Sequence, residues 1–140
     1  MLASDTGMCA GGVMIGSMAK IVRRSDGDMA GGAGDAAYVT KFHKWFLDGE
    51  HGDPPEAVAE ENAFDRGVIF RRTGTIEVFE RRGSFSCRAP YYAFGSGKES
   101  ALGAMFAGAN AAEAVRAAIE HDPHTAGEVL TLRAEVQEPA

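Results

Sequence analysis

Aspartate, lysine and serine side chains can take part in acid–base chemistry, and this sequence contains several of each, among them Asp5, Lys20, Ser96 and Asp122. Each of them also has a purely structural explanation. Asp5 could cap a turn, and Lys20 could be an ordinary surface lysine. Ser96 could be a turn residue between two glycines, and Asp122 could end a helix before Pro123. Residue type alone therefore does not identify a reaction, and the surrounding pattern must decide.

A metal centre or other cofactor is not expected. His121 and His124 are three residues apart, but Pro123 lies between them and no third ligand is nearby in the sequence. The chain has two cysteines, which are too few for a disulfide framework or a zinc site. A reduced, cytoplasmic protein is the simplest interpretation of that cysteine content.

Composition excludes several classes of protein. The net charge is −6, and the short arginine pairs are interspersed with acidic residues, so no nucleic-acid-binding face is expected. No apolar run approaches the ~20 residues that a membrane span needs. Met1 to Ile15 is not a convincing signal peptide, because no basic segment precedes it and Asp5 interrupts it. We expect a single globular domain covering residues 1–140.

The elements that must position the candidate side chains follow an α+β order. Asp35 is a suitable N-cap for a helix whose apolar residues recur at helical spacing as far as Leu47. Antiparallel strands in this order need helices on their outer faces, which predicts two sheets between helix layers. The predicted elements are strands at 20–23 and 29–32, a helix at 35–47, strands at 68–70, 75–79 and 91–94, helices at 99–108 and 111–121, and a strand at 129–136.

Four blocks of sequence occur in a familiar order. They are Leu2–Thr6; Lys20–Arg24 with Met29–Ala36; Ala93–Gly97 with Ala101–Met105; and Ala111–Val115 with His121–Gly127. Together they resemble the proteasome β-subunit family, and especially its HslV-like bacterial heat-shock members. No single block is specific, since Gly-Ser-Gly alone is common. The resemblance depends on four blocks in order at compatible spacing.

The resemblance implies an N-terminal-nucleophile (Ntn) hydrolase fold, an αββα sandwich of two antiparallel sheets between helix layers. It also implies a threonine-type peptidase. In this chemistry the α-amino group of an N-terminal threonine serves as the base for its own hydroxyl, because that amine titrates near ~8. The family's substrate and oxyanion contacts come from the region that matches Gly31 and Gly32.

The resemblance also assigns supporting roles to the four candidate side chains. Lys20 would keep the local potential positive, and Asp5 would pair with that lysine and fix it. Ser96 and Asp122 would hold the amino group, with Thr125 beside Asp122. Backbone N–H groups would stabilise the oxyanion.

The sequence departs from the family in two places. The segment before Val68 looks too short for the second helix of larger members. The family also begins with a strand that carries the N-terminal threonine, whereas Asp5 is almost at the start here. We therefore expect an N-terminally truncated Ntn fold that lacks the nucleophile strand. Met1 precedes Leu2 and should be retained, and neither Thr6 nor Cys9 resembles a processing junction, so this chain should be inactive as it stands.

Two functional hypotheses remain open. The first is a peptidase subunit acting on peptides or unfolded proteins, whose native form begins upstream with a threonine. The second is a non-catalytic structural or assembly protein with the same fold, and the compact size suits a phage-encoded origin. The retained Asp/Lys/Ser/Asp set favours the first. In either case the family implies a homo-oligomer, which is a ring among its members, and allows a partner ATPase. An unpaired sheet edge would also favour self-association.

Overall fold

The computed structural model describes residues 1–10, 13–60 and 63–134. The predicted α+β class is confirmed within these residues. The elements, in chain order, are β1 (Leu2–Ser4), β2 (Gly7–Ala10), β3 (Val13–Ser17), β4 (Ile21–Arg23), β5 (Met29–Ala33), α1 (Ala36–Leu47), β6 (Ala59–Glu60), β7 (Ala63–Phe64), β8 (Arg66–Phe70), β9 (Ile76–Glu80), β10 (Gly83–Cys87), α2 (Lys98–Phe106), α3 (Ala111–His121) and β11 (Leu130–Leu132). No helix in this part of the chain has the length and apolar character that crossing a membrane requires.

The described residues divide into two compact units. The first comprises Met1–Lys20 and Pro90–Leu132, so it takes its chain from both ends of the sequence. It contains β1, β2, β3, α2, α3 and β11. The second comprises Ile21–Ala89 and also takes in Arg133. It contains the remaining strands and α1.

The second unit is built on a five-stranded antiparallel sheet in the order β10-β9-β8-β5-β4. Helix α1 begins at the predicted N-cap, where the Asp35 carboxylate accepts a hydrogen bond from the Ala37 N–H. The helix approaches the sheet closely at Gly67, where a Cβ atom would clash with the Phe42 ring. The fully buried apolar side chains of this unit include Phe42, Phe46, Val68, Ile69 and Val78. Successive residues of a strand point to opposite faces, so Ile69 lies on the α1 side of the sheet, as a Gly67 side chain would, and Val68 lies on the other side. Burying each of these side chains contributes roughly 1.5–3 kcal/mol.

Charged side chains join three turns of the second unit. Arg71 makes a bidentate pair with Glu50, with both N···O distances at 2.7 Å, and it also donates to Asp28 and Glu77. Arg24 donates to Glu50 at 2.9 Å and pairs with Asp28. Glu50 itself has a φ of +62°, which is unusual for a residue with a side chain. This ion-pair network ties the end of α1 to the β4–β5 and β8–β9 turns.

The first unit contains two short ladders and a helix pair. Strand β1 pairs antiparallel with β11, and β2 pairs with β3 with an irregular register at Met8 and Cys9. Helix α3 starts with a capping box, in which Asn110 and Glu113 satisfy each other's backbone N–H groups. The β2–β3 hairpin was not among the predicted elements. Its second strand is exposed along its whole length.

The prediction of a strand at residues 91–94 is wrong. Tyr91–Phe94 is not a strand; the strand that follows β9 is instead Gly83–Cys87, paired in register across a two-residue turn at residues 81–82. Helix α2 ends at Phe106 rather than at residue 108, and the last strand covers only Leu130–Leu132. Residues 135 and 136 of that predicted strand lie outside the described residues.

The predicted pair of packed sheets is not confirmed by the sheets found. Within the described residues there are one five-stranded sheet and three two-stranded ladders, β1–β11, β2–β3 and β6–β7. The α+β class therefore holds, while the finer αββα arrangement remains a prediction. The short β6–β7 ladder was not among the predicted elements.

Candidate functional site

Asp5 and Lys20 form the first half of the candidate site. The Lys20 Nζ donates to Asp5 Oδ1 at 2.9 Å, and the two side chains are 22% and 12% exposed. Asp5 follows β1 directly, and Lys20 follows β3, so the intervening β2–β3 hairpin returns the lysine to the aspartate. This partly buried pair holds a positive charge at a fixed position.

Ser96, Asp122 and Thr125 form the second half. Asp122 Oδ2 accepts hydrogen bonds from Ser96 Oγ at 2.8 Å and from Thr125 Oγ1 at 2.6 Å. The His124 N–H donates to the same oxygen at 3.2 Å. Ser96 lies just before α2, and Asp122 is the C-cap of α3, so the packing of these two helices brings the serine and the aspartate together.

The hydrogen bonds to Asp122 affect its pKa. Burial alone would raise the pKa of this carboxyl group, but the hydroxyl donors Thr125 and Ser96 stabilise the carboxylate, and the net effect is a lowered pKa. Asp122 is therefore ionised near neutral pH. Its hydroxyl partners are then oriented as donors toward it, which leaves their oxygen lone pairs available as acceptors.

The segment Asp122–Glu128 joins the two halves. We call it the 122–128 loop. The Ala126 N–H donates to Asp5 Oδ2 at 2.9 Å, so one carboxylate holds both Lys20 and the loop. Residues 6 and 7 both donate their backbone N–H groups to the Ala126 carbonyl. The four predicted side chains thus fall into two carboxylate-centred clusters that share this loop.

Gly97 contributes to the site through the absence of a side chain. A Cβ atom at this position would lie 2.8 Å from Thr125 Oγ1 and 2.8 Å from the Ala118 Cβ. Glycine therefore leaves room for the Thr125 hydroxyl to reach Asp122. The sequence signal for this close approach was the Gly95-Ser96-Gly97 motif itself, although it did not reveal the partner.

The predicted substrate residues Gly31 and Gly32 lie in the second unit. Both are buried in β5, where Gly31 pairs with Ile21 of β4 and with Val68 of β8. A Cβ atom on Gly32 would lie 3.0 Å from the Val39 side chain of α1. Helix packing is therefore a sufficient reason for glycine at position 32, and the substrate and oxyanion role of both residues stays a prediction.

The described residues contain no group of three or more His, Cys, Asp or Glu side chains arranged to hold a metal ion. His121 and His124 are both exposed, and Cys9 and Cys87 are free thiols. An open cavity of about 330 Å³ lies elsewhere, at the start of α1 in the second unit, and none of the predicted site residues lines it.

Sequence reasoning missed the residues that connect the two clusters. Thr6 Oγ1 accepts a hydrogen bond from the Glu128 N–H at 2.9 Å, and the Ala126 backbone contacts the Asp5 carboxylate. These contacts join residues more than a hundred positions apart in the chain. No local pattern indicates such a pairing, so only the assembled fold reveals it.

The fold of this chain is similar to that of HslV. Among solved structures with this fold is the crystal structure of eukaryotic HslV from Trypanosoma brucei, which matches with a TM-score of 0.63. The match covers 91% of this chain and 88% of that chain at 18% sequence identity. The HslV-like α+β fold that the sequence resemblance implied is therefore confirmed, while the αββα sandwich and the N-terminal truncation stay predictions.

No protein-family model matches the sequence, and no curated protein matches it either. The likeness in three dimensions thus exceeds the likeness in sequence. It establishes the fold, and the activity has to be argued from the side chains.

Proposed function

We propose that this chain is a subunit of an Ntn amide hydrolase, a threonine-type peptidase, whose nucleophile lies on a strand N-terminal to Asp5. One observation carries the proposal. In an HslV-like fold, the Asp5 carboxylate accepts hydrogen bonds from Lys20 and from Ala126 of the 122–128 loop. Asp122, at the start of the same loop, accepts hydrogen bonds from the Ser96 and Thr125 hydroxyls. A structural role alone would not require a lysine–aspartate pair and a hydroxyl-rich carboxylate to share one loop.

The proposed reaction is amide hydrolysis through an acyl-enzyme. The threonine hydroxyl adds to the substrate carbonyl while the α-amino group takes its proton, and the same proton then passes to the leaving amine. Water, activated by the α-amino group, hydrolyses the resulting ester. The Lys20 ammonium favours the negative charge that develops on the attacking oxygen, and Asp5 keeps that ammonium in place. Ser96 and Asp122 would orient the amino group.

The finer structural features belong to the same proposal. We infer an αββα sandwich, a cytoplasmic location, peptides or unfolded proteins as substrates, and a homo-oligomer in which an ATPase could act as partner.

Self-association is supported by large exposed apolar side chains of the first unit. Val13 and Ile15 are 62% and 61% exposed on β3, and Phe106 is 83% exposed at the end of α2. Apolar groups of this size are typical of protein–protein contacts when they cluster. Light scattering at micromolar concentration tests this, and a clean monomer would count against it.

The coding DNA directly upstream of Met1 provides the first test. An in-frame segment that begins with threonine after an initiator methionine, followed by alternating apolar residues, supports the peptidase. An in-frame stop codon with no such segment would overturn it. The protein made with that segment should hydrolyse a fluorogenic peptide, whereas a polypeptide of residues 1–140 alone should not, because the Met1 side chain has no nucleophilic oxygen.

The second test is Lys20→Ala in the protein that carries the segment. We expect kcat/KM to fall by at least about 100-fold, because a preorganised charge next to the nucleophile is lost. Lys44→Ala is the matched control, since Lys44 is an exposed lysine in the last turn of α1. If the folded, threonine-bearing protein hydrolyses no peptide, the non-catalytic assembly protein becomes the better account.

A further inference from the structure

Thr6 is a buried hydroxyl residue beside Asp5 that the proposed chemistry does not use. It is 9% exposed, and its Oγ1 accepts a hydrogen bond from the Glu128 N–H at 2.9 Å. The Thr6 carbonyl accepts from the Met18 N–H, which lies on the segment leading to Lys20. Thr6 therefore contacts the chain on the lysine side and also the 122–128 loop.

The loop is shaped around this hydroxyl. Gly127 has a φ of +88°, a conformation that residues with a Cβ atom rarely adopt. A Cβ atom there would lie 2.5 Å from Thr6 Oγ1, inside van der Waals contact. The threonine oxygen occupies the space that a side chain at position 127 would need, so the two residues fit each other.

The hydrogen bond that Thr6 Oγ1 accepts from Glu128 holds the loop on the C-terminal side of Gly127. Ala126, on the N-terminal side, is held through its N–H by Asp5 and through its carbonyl by Gly7. Glu128 is held by the Thr6 hydroxyl. Without that bond the chain could rotate about Gly127, and Thr125, next to Ala126, could lose its contact with Asp122.

We propose that Thr6 is a positioning residue whose hydroxyl, acting through the Glu128 N–H, keeps the 122–128 loop in the one geometry that joins the Lys20–Asp5 pair to the Ser96–Asp122–Thr125 cluster. This role rests on the proposed function of that cluster. It differs from the roles of the four predicted side chains because Thr6 acts through the loop backbone.

The test compares Thr6→Val with Thr6→Ser in the full chain. Valine keeps the shape of threonine and removes the hydroxyl, while serine keeps the hydroxyl and removes only a methyl group. By amide hydrogen exchange, Thr6→Val should speed exchange at the Glu128 N–H by about tenfold, which is the loss expected for one hydrogen bond. Thr6→Ser should retain the protection of the parent protein.

A second readout separates positioning from simple stabilisation. NMR titration of the Asp122 carboxyl should show its pKa rising toward the ordinary value in Thr6→Val and staying low in Thr6→Ser, because the Thr125 bond that lowers it would weaken. The groups at Asp122 that influence this titration are Ser96, Thr125 and His124, and all three are unchanged in both variants. A merely structural role would reduce the melting temperature without moving the Asp122 titration.

The outcomes are distinct. The proposal is overturned if folded Thr6→Val keeps the Asp122 titration of the parent, whether its Glu128 protection is kept or lost. Should Thr6→Val not fold, exchange in the parent protein decides instead, since an unprotected Glu128 N–H there would show that the bond is absent. Neither readout needs hydrolytic activity, so a failure of the proposed peptidase function would be seen separately. In protein that hydrolyses peptide, Thr6→Val should lower kcat several-fold and leave KM unchanged.

Discussion

Glu50→Gln tests the ion-pair network of the second unit. The substitution keeps the size of the side chain and removes its charge. Glu50 accepts three hydrogen bonds, two from Arg71 and one from Arg24. A glutamine can accept with its oxygen, but its NH₂ group would face an arginine N–H, donor against donor. The bidentate pair with Arg71 is therefore lost.

The size of the effect follows from burial and from the bonds that remain. Removing one partner of a fully buried ion pair costs about 3–5 kcal/mol. Here the side chains of Glu50, Arg71 and Arg24 are 18%, 20% and 16% exposed, so water compensates part of the loss. Arg71 also keeps Asp28 and Glu77 as partners. We expect Glu50→Gln to lower the free energy of unfolding by about 2 kcal/mol, which corresponds to roughly 6–8 °C in melting temperature for a chain of this size.

The pH dependence has a definite sign. The hydrogen bond from Arg71, followed by the one from Arg24, lowers the pKa of Glu50 in the folded state despite the opposing effect of burial. The pair therefore stabilises fully above the unfolded pKa of ~4.3 and loses its contribution as the pH falls through the lower folded value. The stability difference between parent and Glu50→Gln should be constant from about pH 6 to 8 and shrink below about pH 4.5.

Thermal and urea unfolding, followed by circular dichroism at several pH values, measure both effects. Glu56→Gln is the matched control, because it makes the same chemical change at an exposed residue and should shift stability by less than about 0.5 kcal/mol. If Glu50→Gln costs no more than that control at pH 7, the network does not stabilise the fold. A difference that persists unchanged at pH 3 would refute the assignment of the effect to the carboxylate charge.

Two further predictions concern the helices. Asn110→Ala should reduce the free energy of unfolding by about 1 kcal/mol because the bond from the Glu113 N–H is lost, while Asn110→Asp should cost little; urea unfolding measures both, and equal losses would contradict the capping role. Gly67→Ala should cost about 1–3 kcal/mol or more, because the added Cβ meets the Phe42 ring, whereas Gly16→Ala adds a Cβ with nothing within 4 Å and should be close to neutral. Equal stabilities of these two alanine variants would show that α1 can move away from the sheet at little cost.

Local sequence signals predicted the helices well. Asp35 is the predicted N-cap of α1, and its side chain accepts the expected backbone hydrogen bond. Strands were harder to predict, since Tyr91–Phe94 has high β propensity but is not a strand, while Gly83–Cys87 has low propensity and pairs with β9 along its whole length. Pairing with a neighbour outweighed intrinsic preference there.

The candidate site was predictable only in part. The resemblance named Asp5, Lys20, Ser96 and Asp122, and the structure places them in two carboxylate-centred pairs. The resemblance did not reveal what joins the two pairs. The hydrogen bonds that do so, accepted by Thr6 Oγ1 and by Asp5 Oδ2, come from residues more than a hundred positions away in the sequence. Long-range hydrogen bonds of this kind leave no periodicity in the sequence.

The division of the first unit between the two ends of the sequence has a consequence for biosynthesis. Asp5 cannot meet Ala126 until 121 further residues have been made, which takes roughly 6–24 s at about 5–20 residues per second. The second unit is nearly continuous, from Ile21 to Ala89, and can begin to fold while the ribosome is still working. We therefore expect the sheet of the second unit to form early and the Lys20–Asp5 pair to be locked in place only after Ala126 has been made. Pulsed proteolysis of stalled nascent chains should show protection of the residue 21–89 region before that of the N-terminal hairpin. A growing chain would then be unable to assemble the complete site before the 122–128 loop has been made.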